Sequence, residues 1–217
     1  MQRLRLTYAV DFPLHYASAL DRAKVWERAT RRAGLTLVYS SGFSPRPRMQ
    51  DAAALPVGFR AQAELLDLWL AEPADPAEVQ AALSAALPAG LTVRQVEEVA
   101  LDEPALPAQV RAAEYSVAVE TATPAAEVRC RLADLLAAEQ LPRQRRGRPY
   151  DLRPLIEELW LESEGAGEIV LAMILAAREG ATGRPEEVLD ALGLGDDFCR
   201  VRRRHLILES ERPGEGP

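Results

Sequence analysis

Alternation opens the chain. Residues 4–10 (LRLTYAV) exchange apolar and polar side chains almost step by step, the period of a strand with one buried face. A period near 3.6 takes over at 19–33, where Leu20, Val25, Trp26, Ala29 and Ala33 form an apolar stripe. Ser18 stands before it as a helix N-cap and Gly34 after it as a C-cap. Residues 35–40 (LTLVYS) predict a second strand. Residues 41–60 are broken by Gly42, Pro45, Pro47, Pro56 and Gly58 and predict a turn-rich connection. Residues 63–71 (AELLDLWLA) predict a third strand, with Leu66, Leu68 and Leu70 on one face and Asp67 and Trp69 on the other. A helix over 76–87 and a strand over 91–99 complete a βαββαβ order.

Residues 100–111 (ALDEPALPAQVR) are proline-rich and aperiodic and read as a linker. The pattern then recurs. A strand at 114–120 alternates strictly. A helix follows, N-capped by Thr123 and begun by Pro124, running to Glu139 with Val128, Leu132, Leu135 and Leu136 inward. Residues 141–154 form an arginine-rich excursion with a short strand, and 155–161 fit a strand or a turn. The short apolar run 168–176 (EIVLAMILA) predicts a buried strand. A helix starts at 184–187 and ends near Gly193, and 201–209 is the last strand. The expected fold is therefore α+β, two ferredoxin-like (βαββαβ) lobes in tandem: 1–99, a linker at 100–111, and 112–210, with 211–217 as a disordered tail. A single mixed sheet wrapping both halves is the alternative.

Composition narrows the chemistry. The chain has 217 residues, 48% of them hydrophobic and 27% charged, ordinary for a folded soluble protein. No apolar run approaches a membrane span, and the N-terminal stretch lacks the apolar core of a signal peptide, so a cytoplasmic location is expected. Cys130 and Cys199 are the 2 cysteines, too few for a thiolate metal site or an iron–sulfur cluster. With His15 and His205 as the only histidines, neither a metal nor a cofactor is expected. The net charge of −7 argues against indiscriminate nucleic-acid binding. The basic residues nevertheless cluster, and that clustering marks the candidate sites.

The loop at 39–48 (YSSGFSPRPR) is stiffened by Gly42, Pro45 and Pro47. An extended backbone there projects Arg46 and Arg48 in one direction, and Phe43 either packs beneath the loop or offers a stacking face. This is a rigid phosphate clamp or a stiff solvated loop. The stretch 143–153 (RQRRGRPYDLR) places Arg143, Arg145, Arg146, Arg148 and Arg153 around Tyr150, a mixture of cations and a ring that suits single-stranded nucleic acid. The alternative is a solvated loop paired with helix carboxylates. In the final strand Arg202 and Arg204 share a face, and His205 reads as structural. No nucleophile-elbow, P-loop, zincin or dinucleotide-binding motif occurs. Asp21, Glu64, Asp67 and Asp151 are the candidate acid partners. A buried Glu64 or Asp67 needs a cation, for which a loop arginine is the natural source.

Certain residues in combination resemble a bacterial family. They are Glu27-Arg28-Ala29, Arg32-Ala33-Gly34-Leu35, the loop 39–48, Leu55-Pro56-Val57-Gly58 and Glu64-Leu65-Leu66-Asp67, with Tyr150-Asp151-Leu152-Arg153-Pro154 and the strand around Arg202 in the second half. The family is that of the radical-SAM-linked (radical-SAM-associated) proteins, a domain of unknown function found alone or fused behind cobalamin-binding radical SAM enzymes. The resemblance implies a radical SAM partner acting on RNA or a translation component. It also carries a departure: the family's early Ser-His-Leu-Asp is here Ser18-Ala19-Leu20-Asp21. Three readings follow: an RNA-recognition module serving a radical SAM enzyme, an adaptor that binds protein alone, and an RNA-modifying or RNA-processing enzyme in its own right.

Overall fold

A computed structural model describes residues 1–145, 147–178 and 180–210. The chain divides into two compact units. One takes Met1–Val110 and picks the chain up again at Glu209; the other is Arg111–Leu208. Arg146 and the tail at 211–217 lie outside the described residues. Among those described, no helix is long and apolar enough to cross a membrane.

The first unit contains β1 (Gln2–Val10), α1 (Ala19–Arg32), β2 (Met49–Asp51), β3 (Arg60–Leu70), α2 (Pro76–Ala86), β4 (Leu91–Val99) and the short α3 (Leu106–Gln109). Its strands lie in the order β2-β3-β1-β4, each pair antiparallel. The second unit contains β5 (Val110–Glu120), α4 (Ala125–Ala137), β6 (Pro142–Arg145), β7 (Arg148–Asp151), β8 (Ile156–Gly165), β9 (Glu168–Arg178), β10 (Ala181–Thr182), α5 (Pro185–Ala191) and β11 (Phe198–Leu208). Here β8 and β10 both pair with β9, and the order continues β9-β5-β11. Taken separately, each unit follows the βαββαβ course of a ferredoxin-like motif. The fold is α+β, as expected.

Several elements differ from the pattern-based expectation. Residues 35–40 form no strand. Gly42, Pro45 and Pro47 interrupt the ladder, leaving isolated bridges from Leu37 to Leu70 and from Tyr39 to Pro47. The backbone there is satisfied singly: Val38 N–H donates to Trp69 O, and Arg48 N–H to Val38 O. The second strand of this unit is instead the three-residue β2. The stretch read as a linker holds α3, and β5 begins at Val110 directly behind it. Thr123 is not an N-cap; Pro124 occupies that position, and the Thr121 hydroxyl accepts from Thr123 N–H. On α1 Ser18 does cap, accepting from Asp21 N–H. The stripe, however, is rotated. Leu20 is exposed, while Arg22 is buried and donates to the carbonyls of Ala17 and Leu55 at 2.5 and 2.6 Å.

The sheet of the first unit buries a carboxylate. Asp67 has no exposed surface. Its oxygens accept from Arg3 Nε and Nη2 at 2.9 and 2.6 Å and from Arg5 Nε at 2.9 Å. The partners are strand arginines, Arg5 standing directly opposite Asp67 in the β1–β3 register; the loop arginines expected for this role are not involved. Arg3 also donates to the carbonyls of Glu103 and Pro104. Burying this cluster costs desolvation, and removing one member strands the others. Asp67→Ala is therefore expected to lower the unfolding free energy by about 3–5 kcal/mol, read from urea denaturation; an unchanged midpoint would contradict it.

Tyr8 is buried on β1 and donates to Asp51 Oδ1 at 3.1 Å. Burial, then the charges of Asp51 and Glu64, raise its pKa well above the ordinary value. A folded-state pKa above the unfolded value means stability is intact below about pH 10 and is lost as pH rises through the higher folded value. Tyr8→Phe is expected to flatten that alkaline decline when unfolding free energy is measured upward from pH 9.

Candidate anion-binding cleft

In the arginine-rich stretch 143–153, β6 and β7 make a two-residue hairpin. Gly147 takes φ +77 at its turn, the left-handed conformation such a turn requires. Among the described residues the two strands pair only with each other. The root is fixed by polar contacts. Asp151 Oδ1 accepts from Leu141 N–H at 2.7 Å and from Arg153 N–H at 3.0 Å. Arg153 sends Nε and Nη2 to Leu136 O at 3.3 and 3.0 Å and Nη1 to Ile156 O at 3.1 Å. Leu136 lies in the last turn of α4, where carbonyls lack intrahelical donors and a cation is favourable. Asp151 and Arg153 are thus held by the fold.

The hairpin overhangs a cavity of about 720 Å³ lined by Arg145, Arg148, Tyr150, Leu155, Thr182 and Arg184, among others. Gly183 lets one wall close. A Cβ there would lie 2.9 Å from Leu155 O and 3.0 Å from Leu175 Cβ. Among the described residues, no carboxylate forms an ion pair with Arg145, Arg148 or Arg184. Arg143 differs: it sits 3.8 Å from Asp190. Partial burial, then the charge of Glu187 and a hydrogen bond with it, raise the pKa of Tyr150. Its hydroxyl therefore stays protonated at neutral pH. Three unpaired guanidiniums and a neutral phenol suit an anion with several acceptor oxygens, and phosphate fits the guanidinium fork.

The remaining predicted residues are taken unit by unit. In the first unit Phe43 is fully exposed, so it does not pack beneath its loop. Ser40 closes that loop, donating N–H to Arg46 O and accepting Arg46 N–H on its hydroxyl. Arg46 lines a depression of about 540 Å³ with Leu20, Lys24 and Met49. Arg48 lies elsewhere, its guanidinium 4.3 Å from the Trp69 ring centroid. The two guanidiniums do not share one depression, contrary to the expectation from their spacing. Asp21 is exposed, its pKa lowered by hydrogen bonds from Ser18 and Lys24 and by the Lys24 charge. Glu64 is buried. Arg202 stands on β11. Three of the acid candidates have partners of their own: Asp67 accepts from arginines, Asp151 from backbone N–H groups, and Asp21 stands in a helix cap. Sequence reasoning missed Arg184 and Thr182 as cleft residues. Arg184 carried only a helix-start signal, and the two-residue β10 that brings the pair to the hairpin has no periodicity to detect.

Residues 3–185 match a family described as uncharacterized proteins conserved in bacteria (DUF2344). No curated protein matches the chain. Among solved structures, a Cbf5-Nop10-Gar1 complex contains a chain that is 10% identical with a TM-score of 0.51, the match covering 92% of this chain and 48% of that one. A chain of the archaeal box H/ACA sRNP Nop10-Cbf5 complex is 9% identical, TM-score 0.45, with 91% and 46% covered. This chain therefore spans about half the length of each of these two chains, and at 10% identity the likeness to the first is one of fold.

Gly183→Ala puts a methyl group against Leu155 O and Leu175 Cβ. It is expected to cost about 1–3 kcal/mol in a denaturant melt; a neutral or stabilising effect would show that the wall is not closed as described.

Proposed function

We propose that this chain, which belongs to the family of uncharacterized bacterial proteins matched by residues 3–185, is a recognition module. It grips RNA phosphates in the cleft of Arg145, Arg148 and Arg184 and presents that RNA to a radical SAM enzyme. One observation carries the reading. Carboxylates are plentiful in the second unit, and several of its arginines use them: Arg111 with Glu157, Arg129 with Glu164, Arg131 with Glu127, Arg200 with Glu120 and Glu168, and Arg204 with Glu114 and Glu162. The cleft arginines have none among the described residues. Three of the arginines without a carboxylate partner line this one cavity. With a net charge of −7, attraction of a polyanion has to be local, which favours a defined site over general affinity.

The radical SAM partner rests on the family resemblance and on the two cysteines, which cannot supply a three-thiolate cluster. The chemistry would be the partner's and the grip this chain's. A second reading, an adaptor for protein alone, is favoured by Phe12, Tyr16, Leu20 and Val57, all large, apolar and exposed in the first unit.

The test is binding of single-stranded RNA across a salt series. Arg145→Gln, Arg148→Gln and Arg184→Gln together are expected to weaken binding and to lower the log–log salt slope by about 2, at roughly 0.7 for each phosphate no longer neutralised. No binding at low salt, with nuclease-treated protein still held by a radical SAM enzyme, would replace this reading with the adaptor.

A further inference from the structure

In the first unit, the sheet face that carries Asp67 also gathers hydrogen-bond donors without acceptors. Trp69 alternates onto the same side of β3 as Asp67. Arg3 on β1 stands opposite Trp69 in the register. On the other side of β3, the Trp69 backbone N–H donates to the carbonyl of Arg48, the residue just before β2. Both guanidiniums lie over the indole, Arg3 at 5.1 Å and Arg48 at 4.3 Å from its ring centroid. Leu101, Glu103 and Ala105, from the segment leading to α3, help enclose a depression of about 280 Å³ beside them.

The donors lining this depression differ in what they already hold. Arg3 is spent on Asp67 and on the carbonyls of Glu103 and Pro104. Arg48 is exposed, and its guanidinium has no carboxylate or carbonyl acceptor among the described residues. Trp69 is 5% exposed, and its indole N–H is buried with no acceptor among them either. A buried indole N–H ordinarily finds a partner. Gln50 uses its Oε1 to accept from Leu106 N–H at 3.2 Å, which leaves its amide donors as the free end.

The acceptors nearby are in use. Pro104 O takes both Arg3 and Gln109. Glu103, the acid of the lining, has its carboxylate 3.6 Å from Arg5. Arg3, Arg5 and Arg48 thus stand against the carboxylates of Asp67 and Glu103, with Arg48 left over. Glu97, opposite Arg5 on β4, is exposed and three strand spacings from Arg48, about 14 Å.

We infer that this depression binds a small oxyanion, a phosphate or carboxylate group, between the Arg48 guanidinium and the Trp69 indole N–H. A guanidinium held over a ring keeps its N–H fork available to an oxyanion. The volume is at the small end for ligand pockets and suits one anionic group. The site shares no residue with the arginine cleft and stands without the RNA reading.

The indole N–H reports its own occupancy. Isotopically labelled full-length protein carrying Arg145→Gln, Arg148→Gln and Arg184→Gln, so that the cleft does not compete, is titrated with inorganic phosphate and separately with acetate. Chloride keeps the ionic strength constant. Trp69→Phe identifies the Trp69 resonance in the proton–nitrogen spectrum. That resonance is expected to move downfield and saturate, while those of Trp26 and Trp160 stay in place. Arg48→Gln should weaken binding about tenfold or more, as expected for losing a charged hydrogen-bond partner. Arg48→Lys, which keeps the charge without the fork, should recover part of the loss. A response to phosphate alone assigns a phosphate group, to acetate alone a carboxylate, and to both the wider oxyanion class. A Trp69 resonance that neither anion moves, or a response that Arg48→Gln leaves unchanged, overturns the inference and leaves the cleft standing.

Discussion

The first unit is organised around one carboxylate removed from water. Asp67 has no exposed surface and sits between two arginines of the adjacent strand. Such a cluster contributes little net stability, because desolvation offsets most of its attraction. What it controls is alignment. A slip of one residue between β1 and β3 would turn Arg3 and Arg5 to the opposite face and leave the carboxylate alone. Arg3 also holds the carbonyls of Glu103 and Pro104, so the same charges fix the start of the segment leading to α3. The cation–π contact of Arg48 with Trp69, Arg3's cross-strand partner, then seats the proline-rich loop beside that cluster.

Much of this was legible in the pattern of residues. β1, β4, α1 and α2 followed from periodicity, and the position of Asp67 opposite the leucine face of β3 followed from alternation. What escaped detection has a common cause. β2 has three residues and β10 two, too short to show a period, and each is defined by a neighbour distant in sequence. The buried Arg22 was unreadable for the same reason: its acceptors include Leu55 O, supplied by a loop. The clustering of Arg145, Arg148 and Tyr150 was visible, but the arrival of Arg184 depends on β10. Arg153, indistinguishable by type from its neighbours, proved to be a clamp on the end of α4.

The second unit distributes its charge unevenly. Glutamates on β5, β8 and β9 engage Arg200 and Arg204, two to each arginine, while Arg145, Arg148, Arg184 and Arg202 have no such partner among the described residues. In an acidic chain this arrangement matters more than the total. Neutralised arginines contribute packing through their long stems, whereas unpaired ones create local positive potential. Identity of residue type therefore says little about role here; the supply of nearby carboxylate decides it.

Among the described residues the strands of the β6–β7 hairpin make their ladder with each other alone, and the hairpin's root is secured by Asp151 and Arg153. An arm of this kind can be lengthened, shortened or recharged in the course of evolution while the scaffold stays intact. Relatives sharing this framework could thus diverge in what they hold through changes confined to a few exposed positions, without having to refold the domain that carries them.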